Sequence, residues 1–173
     1  MAQERISKIR DWALKNARYS NIHGIEHWDR VYQNGQRLAS PDVDILVVGA
    51  FAYLHNVCRE NDGVDINHGL RASMKINEIR NTLLSSFSDE QIELLKLACK
   101  YHTTRRKMGH PTIDACFAAD RLDLGRVGIT PNPKKMATKT GARIAKKNQP
   151  LPFIKRILVC LCWDFEKFFG KGK

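Results

Sequence analysis

The sequence lacks any apolar run long enough to cross a bilayer, and its first residues lack the continuous hydrophobic stretch of a signal peptide. Its five cysteines are odd in number and show no CxxC spacing, which argues against a disulfide framework and against a zinc knuckle. Internal repeats and paired strand patterns are also missing. These absences predict a helical, cytoplasmic protein in a reducing compartment.

What is present is an ordinary globular composition with an uneven charge. Apolar residues make up 43% of the 173-residue chain and charged residues 27%, which suits one soluble domain with a proper core. From residue 126 onward, 12 Lys and Arg residues stand against only Asp164 and Glu166, so this part carries 10 of the net 11 positive charges. Such a segment is typical of a solvated helical face, or of one that meets nucleic acid or an acidic membrane surface.

Apolar residues recur at helical spacing through most of the chain, which predicts an all-α fold. Ser40 before Pro41 is typical of a helix start. The run that follows, DILVVGAFAYLHNV, is long and contains alanines, so it predicts a central buried helix rather than a strand. Ser88 and Gln91 have the spacing of a capping box, which predicts a further helix to about His102.

The later part of the chain predicts two more helical segments. Residues 112–124 have the pattern of a helix that Gly125 ends, and Pro150 and Pro152 break the chain further on. Beyond them, apolar residues alternate with lysine and arginine at helical spacing. We therefore expect a compact helical domain over residues 1–148 and a basic amphipathic extension over residues 149–173. The extension would dock on its own domain or a second subunit, or lie on a membrane surface.

Metal-binding side chains lie far apart in the sequence, each in a stretch with helical spacing: His27, His55 with its neighbour Asn56, and Asp120. A fold that gathers them would offer imidazole and carboxylate ligands. Such sets suit zinc, manganese, iron, nickel or cobalt, and oxygen-rich ones lean towards manganese or magnesium. Spacing alone also fits buried histidines that only form hydrogen bonds inside the core.

The words HGIEHWDRV, AYLHNVCRENDG, DINHG and AADRLDLGRVGI together resemble the HD-domain superfamily of metal-dependent phosphohydrolases, over roughly residues 20–145. The resemblance implies a helical domain in which one divalent ion is held by an early histidine, an adjacent His-Asp pair and a later aspartate. By position, these metal ligands are His27, His55 with Asn56, and Asp120. The implied chemistry is hydrolysis of a phosphate ester or anhydride, with Asp120 also counted as catalytic.

The sequence departs from the family at Asn56, where the His-Asp pair has a carboxylate. An amide oxygen can coordinate a cation, but it brings a dipole in place of an anion, so attraction for a divalent ion falls. Three explanations stay open at this point. They are an active site with one weak ligand, a degenerate domain that binds without turnover, and an inactivating substitution.

Further candidate site residues follow from the same words. Glu60 is a candidate for proton transfer and Arg59 for phosphate contact, since both come about one helical turn after His55; a surface ion pair is the alternative. His68, in DINHG, is a candidate catalytic residue that orients a water. His102, in KYHTT, is a candidate substrate-binding residue. Structural roles at a helix start and a helix end are the alternatives for these two histidines.

The loop after His102 contains Arg105 and Arg106, which are candidates for guiding an anionic substrate. The expected substrate is a phosphorylated small molecule such as a nucleotide, and a homo-oligomer is compatible with the sequence. Two other classes of function remain: a domain that binds a nucleotide or a protein without turnover, and a nucleic-acid binder that uses the basic tail.

Overall fold

A computed structural model describes residues 2–18 and 20–149, and this part of the chain is helical without a strand, as predicted. The α-helices of the described part are α1 (Ala2–Asn16), α2 (Ile25–Gln36), α3 (Ile45–Leu54), α4 (His68–Ile79), α5 (Asp89–Tyr101), α6 (Pro111–Arg121) and α7 (Lys139–Lys147). Short 3-10 turns lie between α6 and α7. The amphipathic segment predicted beyond Pro150 lies outside the described residues, and so does its docking.

Helix α3 is the centre of the bundle. All its residues from Val47 to Leu54 are buried, and it packs against α1, α2, α5 and α6. Because the run carries no charged side chain, it is stable only when it is covered on every side. The prediction of a central buried helix is confirmed. No helix of the described residues is both long and apolar enough to cross a bilayer.

The start of α3 differs from the predicted one. Ser40 and Pro41 precede a turn, and the helix begins only at Ile45. The reason is Asp44, whose carboxylate accepts hydrogen bonds from the N–H groups of the second and third helical residues at 2.9 and 3.1 Å. Asp44 therefore caps the helix, a role that the sequence pattern had assigned to Ser40.

Two other predicted boundaries have different outcomes. The capping box is confirmed, since Ser88 accepts from the N–H of Gln91 while the Gln91 side chain accepts from the N–H of Ser88. The helix predicted over residues 112–124 is shorter than expected, because α6 ends at Arg121 and a 3-10 turn follows over Leu124–Val127. Gly125 therefore lies within that turn and does not end the helix.

Two glycines allow the close approach of helices that the site needs. A Cβ atom on Gly35 would lie 2.6 Å from Val48 Cγ1, so α2 and α3 meet where only a hydrogen fits. A Cβ atom on Gly69 would lie 2.4 Å from the carbonyl oxygen of Cys99, between α4 and α5. These contacts bring the histidines of four separate elements towards one another.

Candidate metal centre

Three predicted ligands from different helices converge in the core. His27 lies on α2, His55 caps the C-terminal end of α3, and Asp120 lies in the last turn of α6. The Nε2 atoms of the two histidines are 3.2 Å apart, and Asp120 Oδ1 is 3.4 Å from that of His27 and 3.8 Å from that of His55. The group could hold a metal ion, because one ligand atom from each residue lies within 4.8 Å of the others.

Hydrogen bonds on the far side of each ring fix the tautomers of the two histidines. His27 Nδ1–H donates to Asp123 Oδ2 at 2.7 Å, and His55 Nδ1–H donates to the carbonyl oxygens of Phe51 and Ala52 at 3.0 and 3.1 Å. When both rings are neutral, each then presents an unprotonated Nε2 to the other. Two lone pairs at this separation repel each other unless a cation lies between them. Around a tetrahedral zinc ion, two nitrogen ligands are about 3.3 Å apart.

The electrostatics of the site favour the metal-binding forms of His55 and Asp120. Burial, followed by the positive charges that His102 and His27 carry when protonated, lowers the pKa of His55 well below its ordinary value, so this ring is neutral at neutral pH. Burial alone would raise the pKa of Asp120. The positive charges of protonated His27 and His102 and of Arg126 and Arg121 outweigh burial and lower it, so the carboxylate stays ionised.

A second pair of histidines adjoins the first group. His68 Nε2 and His102 Nε2 are 3.0 Å apart, and both rings are buried. The Nδ1–H of His68 donates to the backbone oxygen of Asp65, and that of His102 donates to the backbone oxygen of Cys99 at 2.7 Å. Here too, two unprotonated nitrogens face each other. The ring of His102 also stands edge-on to that of His55, with centroids 5.1 Å apart, so the four histidines form one cluster.

Asn56 lies at the edge of this cluster and is buried. Its Nδ2 donates to His55 Nε2 at 2.8 Å, while its Oδ1 is buried without a hydrogen-bond partner among the described residues. An unpaired buried carbonyl oxygen is costly, and such atoms mark places where an ion or water is needed. If the amide turned over, Oδ1 would face the ligand group and Nδ2 would leave the lone pair of His55.

Arg59 and Glu60 follow α3 in a loop and not on the predicted helical turn, because α3 ends at Leu54. Arg59 Nη1 lies 3.4 Å from both ring nitrogens of His68, so its guanidinium reaches the cluster. Glu60 is exposed, and its carboxylate lies 3.5 Å from Arg71. No contact in the described chain joins Glu60 to the ligand group, and its catalytic role stays a prediction.

Arg105 and Arg106 lie in the loop after α5 and line a cleft of about 830 Å³. His102 and Asp120 line the same cleft, so it reaches the ligand group from one side. The predicted substrate-binding arginines therefore share one opening with Asp120 of the ligand group and with His102 of the histidine cluster. On another side, a narrow depression is lined by His23, Asn56 and Arg59, among others.

The sequence interpretation missed the residues that hold the ligands in place. Asp123 accepts from His27 Nδ1 and also from Arg30 Nε at 2.7 Å, which makes it the main partner behind His27. Helical spacing gave no signal for this contact, because α6 ends at Arg121 and Asp123 follows it. The sequence interpretation also assigned no role to His23. Its Nδ1 is buried without a hydrogen-bond partner in the described chain, and burial, then Arg59 and Arg126, lowers its pKa to about 4.

Comparison of the chain with family models, with curated proteins and with solved structures finds no match. The similarity to the HD-domain superfamily therefore rests on the sequence words alone. The case for a metal centre rests on the convergence of His27, His55 and Asp120 and on the tautomers of the two histidines.

Proposed function

We propose that this protein is a metal-dependent phosphohydrolase of the HD type that acts on a nucleotide or a related phosphoester. The observation that carries the proposal is the convergence of His27 Nε2 and His55 Nε2, 3.2 Å apart, beside the Asp120 carboxylate. When both rings are neutral and their Nδ1 atoms carry the protons, the two lone pairs repel each other unless a cation lies between them. The reaction class comes from the resemblance of the sequence motifs to the HD-domain superfamily.

The ligand chemistry favours a transition metal. Two imidazoles and one carboxylate suit zinc, iron, cobalt, nickel or manganese better than magnesium, which prefers oxygen ligands. The unpartnered Oδ1 of Asn56 is available as a further, neutral ligand once the amide turns. When bound, a divalent ion supplies polarisation of a phosphoryl oxygen and lowers the pKa of a water molecule.

The protein's own residues supply the remaining parts. Asp123 holds His27 in the tautomer that binds metal. His68 and His102, whose Nε2 atoms are 3.0 Å apart beside the ligand group, orient a water molecule and contact the substrate, respectively. The guanidinium of Arg59, in contact with His68, is placed to stabilise negative charge on phosphoryl oxygens near the cluster.

A binding module without turnover is the second candidate, and one contact favours it. Asn56 Nδ2 donates to the same lone pair of His55 that a metal needs. A bound ion must displace that hydrogen bond without the gain of a carboxylate. If this cost exceeds the attraction for the ion, the cluster stays metal-poor and recognises a phosphorylated ligand through its cations alone.

Metal loading followed by a broad phosphoester assay tests the proposal. Protein stripped of metal and refilled with manganese, nickel, cobalt, zinc, iron or magnesium should bind at least one of these ions and release phosphate from some member of the panel. His55→Asn should lose both properties. His110→Asn should keep both, since His110 caps α6 outside the cluster and asparagine is also a good cap. Bound metal with no hydrolysis of any ester would leave only the binding module.

A further inference from the structure

The cleft beside the metal cluster has a large excess of positive charge. Four cationic side chains line it, and they belong to Arg105, Arg106, Arg121 and Lys135. The lining contains one carboxylate, that of Asp120. Within the described chain none of these cations forms an ion pair with a carboxylate. Asp120 is itself a member of the ligand group. A bound divalent ion would add to the excess of three charges, so the cleft suits a ligand with several negative charges.

The loop that carries two of these cations is held in place by the backbone. Arg121 donates to the carbonyl oxygens of His102, Arg105 and Arg106, and its guanidinium lies over the ring of Phe117. Further along the loop, the Asp114 carboxylate accepts from the N–H groups of residues 108 and 109. Arg121 is thus occupied with positioning, and its bonds fix the point from which Arg105 and Arg106 extend.

Apolar side chains also line the cleft. They are Leu124, Ile129 and Met136, and Ile129 is about half exposed. Ligand sites of this size pair apolar lining residues with a few fixed polar groups. A free phosphate or a sugar phosphate would leave these apolar side chains uncovered, and a single phosphoryl group at the ligand group would leave Arg105, Arg106 and Lys135 unmatched.

From this arrangement we infer that the ligand is an ester with at least two phosphoryl groups and an apolar organic part, such as a nucleoside diphosphate or triphosphate. This inference rests on the proposed function for the first phosphoryl group, which is held at His27, His55 and Asp120. Arg105, Arg106 and Lys135 hold the others. The organic part lies against Leu124, Ile129 and Met136.

Binding, measured apart from turnover, tests the inference. Calorimetric titrations with phosphate, pyrophosphate and tripolyphosphate use metal-free protein and, separately, protein with magnesium in excess, so that chelation of a bound ion does not distort the result. The dissociation constant should fall at least tenfold from phosphate to tripolyphosphate in both. Arg105→Gln with Arg106→Gln should abolish this preference. Lys107→Gln should keep it, because Lys107 belongs to the same loop but does not line the cleft.

The organic part is tested with the series AMP, ADP and ATP on the same samples. ATP should bind more tightly than tripolyphosphate, and Ile129→Asp should remove that advantage while inorganic tripolyphosphate still binds. Equal affinity for phosphate and tripolyphosphate, a preference unchanged in the arginine variant, or tighter binding of a single-stranded oligonucleotide would each overturn the inference. Phosphate release, assayed in parallel, reports on the proposed hydrolase activity alone. A preference for tripolyphosphate over phosphate without turnover would therefore contradict only the hydrolase activity.

Discussion

Replacing Asn56 by aspartate is the sharpest single perturbation of the candidate metal centre. The amide nitrogen of Asn56 lies 2.8 Å from His55 Nε2, so a carboxylate at this position would stand within a few ångströms of a bound ion. At about 4 Å and an effective dielectric constant of about 20, a divalent ion and a carboxylate attract each other by about 8 kcal/mol. Burial of the carboxylate costs several kcal/mol. A net gain of about 3 kcal/mol lowers the dissociation constant for metal roughly 100-fold.

The same change should have opposite effects on the two forms of the protein. Without metal, Asn56→Asp places a second carboxylate near Asp120 in a buried site, so the apo protein should unfold at a lower temperature than the wild type. With metal, tighter binding stabilises the folded state and should reverse the order. Phosphatase activity should rise with metal occupancy.

Competition with a chromogenic chelator measures the metal affinity. Thermal unfolding with and without metal shows whether the order of the two unfolding temperatures reverses. Asn77→Asp is the control, because Asn77 is exposed on α4 and undergoes the same change of charge. Equal affinities for wild type and Asn56→Asp, with the same unfolding order in both forms, would refute the reasoning. Position 56 would then lie outside the coordination sphere.

Three further outcomes follow from the structure. Asp123→Asn should weaken metal binding by about 10- to 100-fold, because it loosens the tautomer of His27; an unchanged affinity by chelator competition would show that Asp123 has no such role. Burial outweighs the opposing charge of Asp120 and lowers the pKa of His102 to about 4, below the unfolded value near 6.5. Native His102 is therefore neutral where the unfolded chain takes up a proton, and stability should fall as pH drops from about 6.5 towards 4, by at most about 1.4 kcal/mol per pH unit from this residue. Urea unfolding of the apo protein should show a shallower pH dependence in His102→Gln; an equal slope would contradict this. Gly69→Ala should lower the free energy of unfolding by about 1–3 kcal/mol, because its methyl group meets the Cys99 carbonyl oxygen. Urea denaturation at neutral pH measures this change, and a smaller loss of stability would show that α4 and α5 can move apart freely.

The sequence allowed the helical fold and the central helix to be predicted, because both depend on the spacing of apolar residues. The boundary at Asp44 was mistaken for one at Ser40, since both residues can cap a helix and only tertiary packing selects between them. Ser88 was easier to interpret, because its capping box uses two residues at a fixed separation.

The ligands of the candidate centre were predictable for a different reason. His27, His55 and Asp120 occur in words that resemble a known family, so their convergence was expected without knowledge of helix packing. The hydrogen-bond partners behind them are not marked in this way. Asp123 lies in the same motif as Asp120, but its role was found only from its contact with His27. Backbone carbonyl partners, such as those of His55, cannot be seen in a sequence at all, since every residue has a carbonyl group.

The central claim is that His27, His55 and Asp120 bind one ion, and anomalous diffraction tests it most directly. Crystals of the protein soaked with zinc or manganese are measured on either side of the absorption edge of the metal. The account predicts a peak within bonding distance, about 2.0–2.2 Å, of His27 Nε2, His55 Nε2 and an oxygen of Asp120. A metal-loaded crystal whose only anomalous peaks lie elsewhere would contradict it.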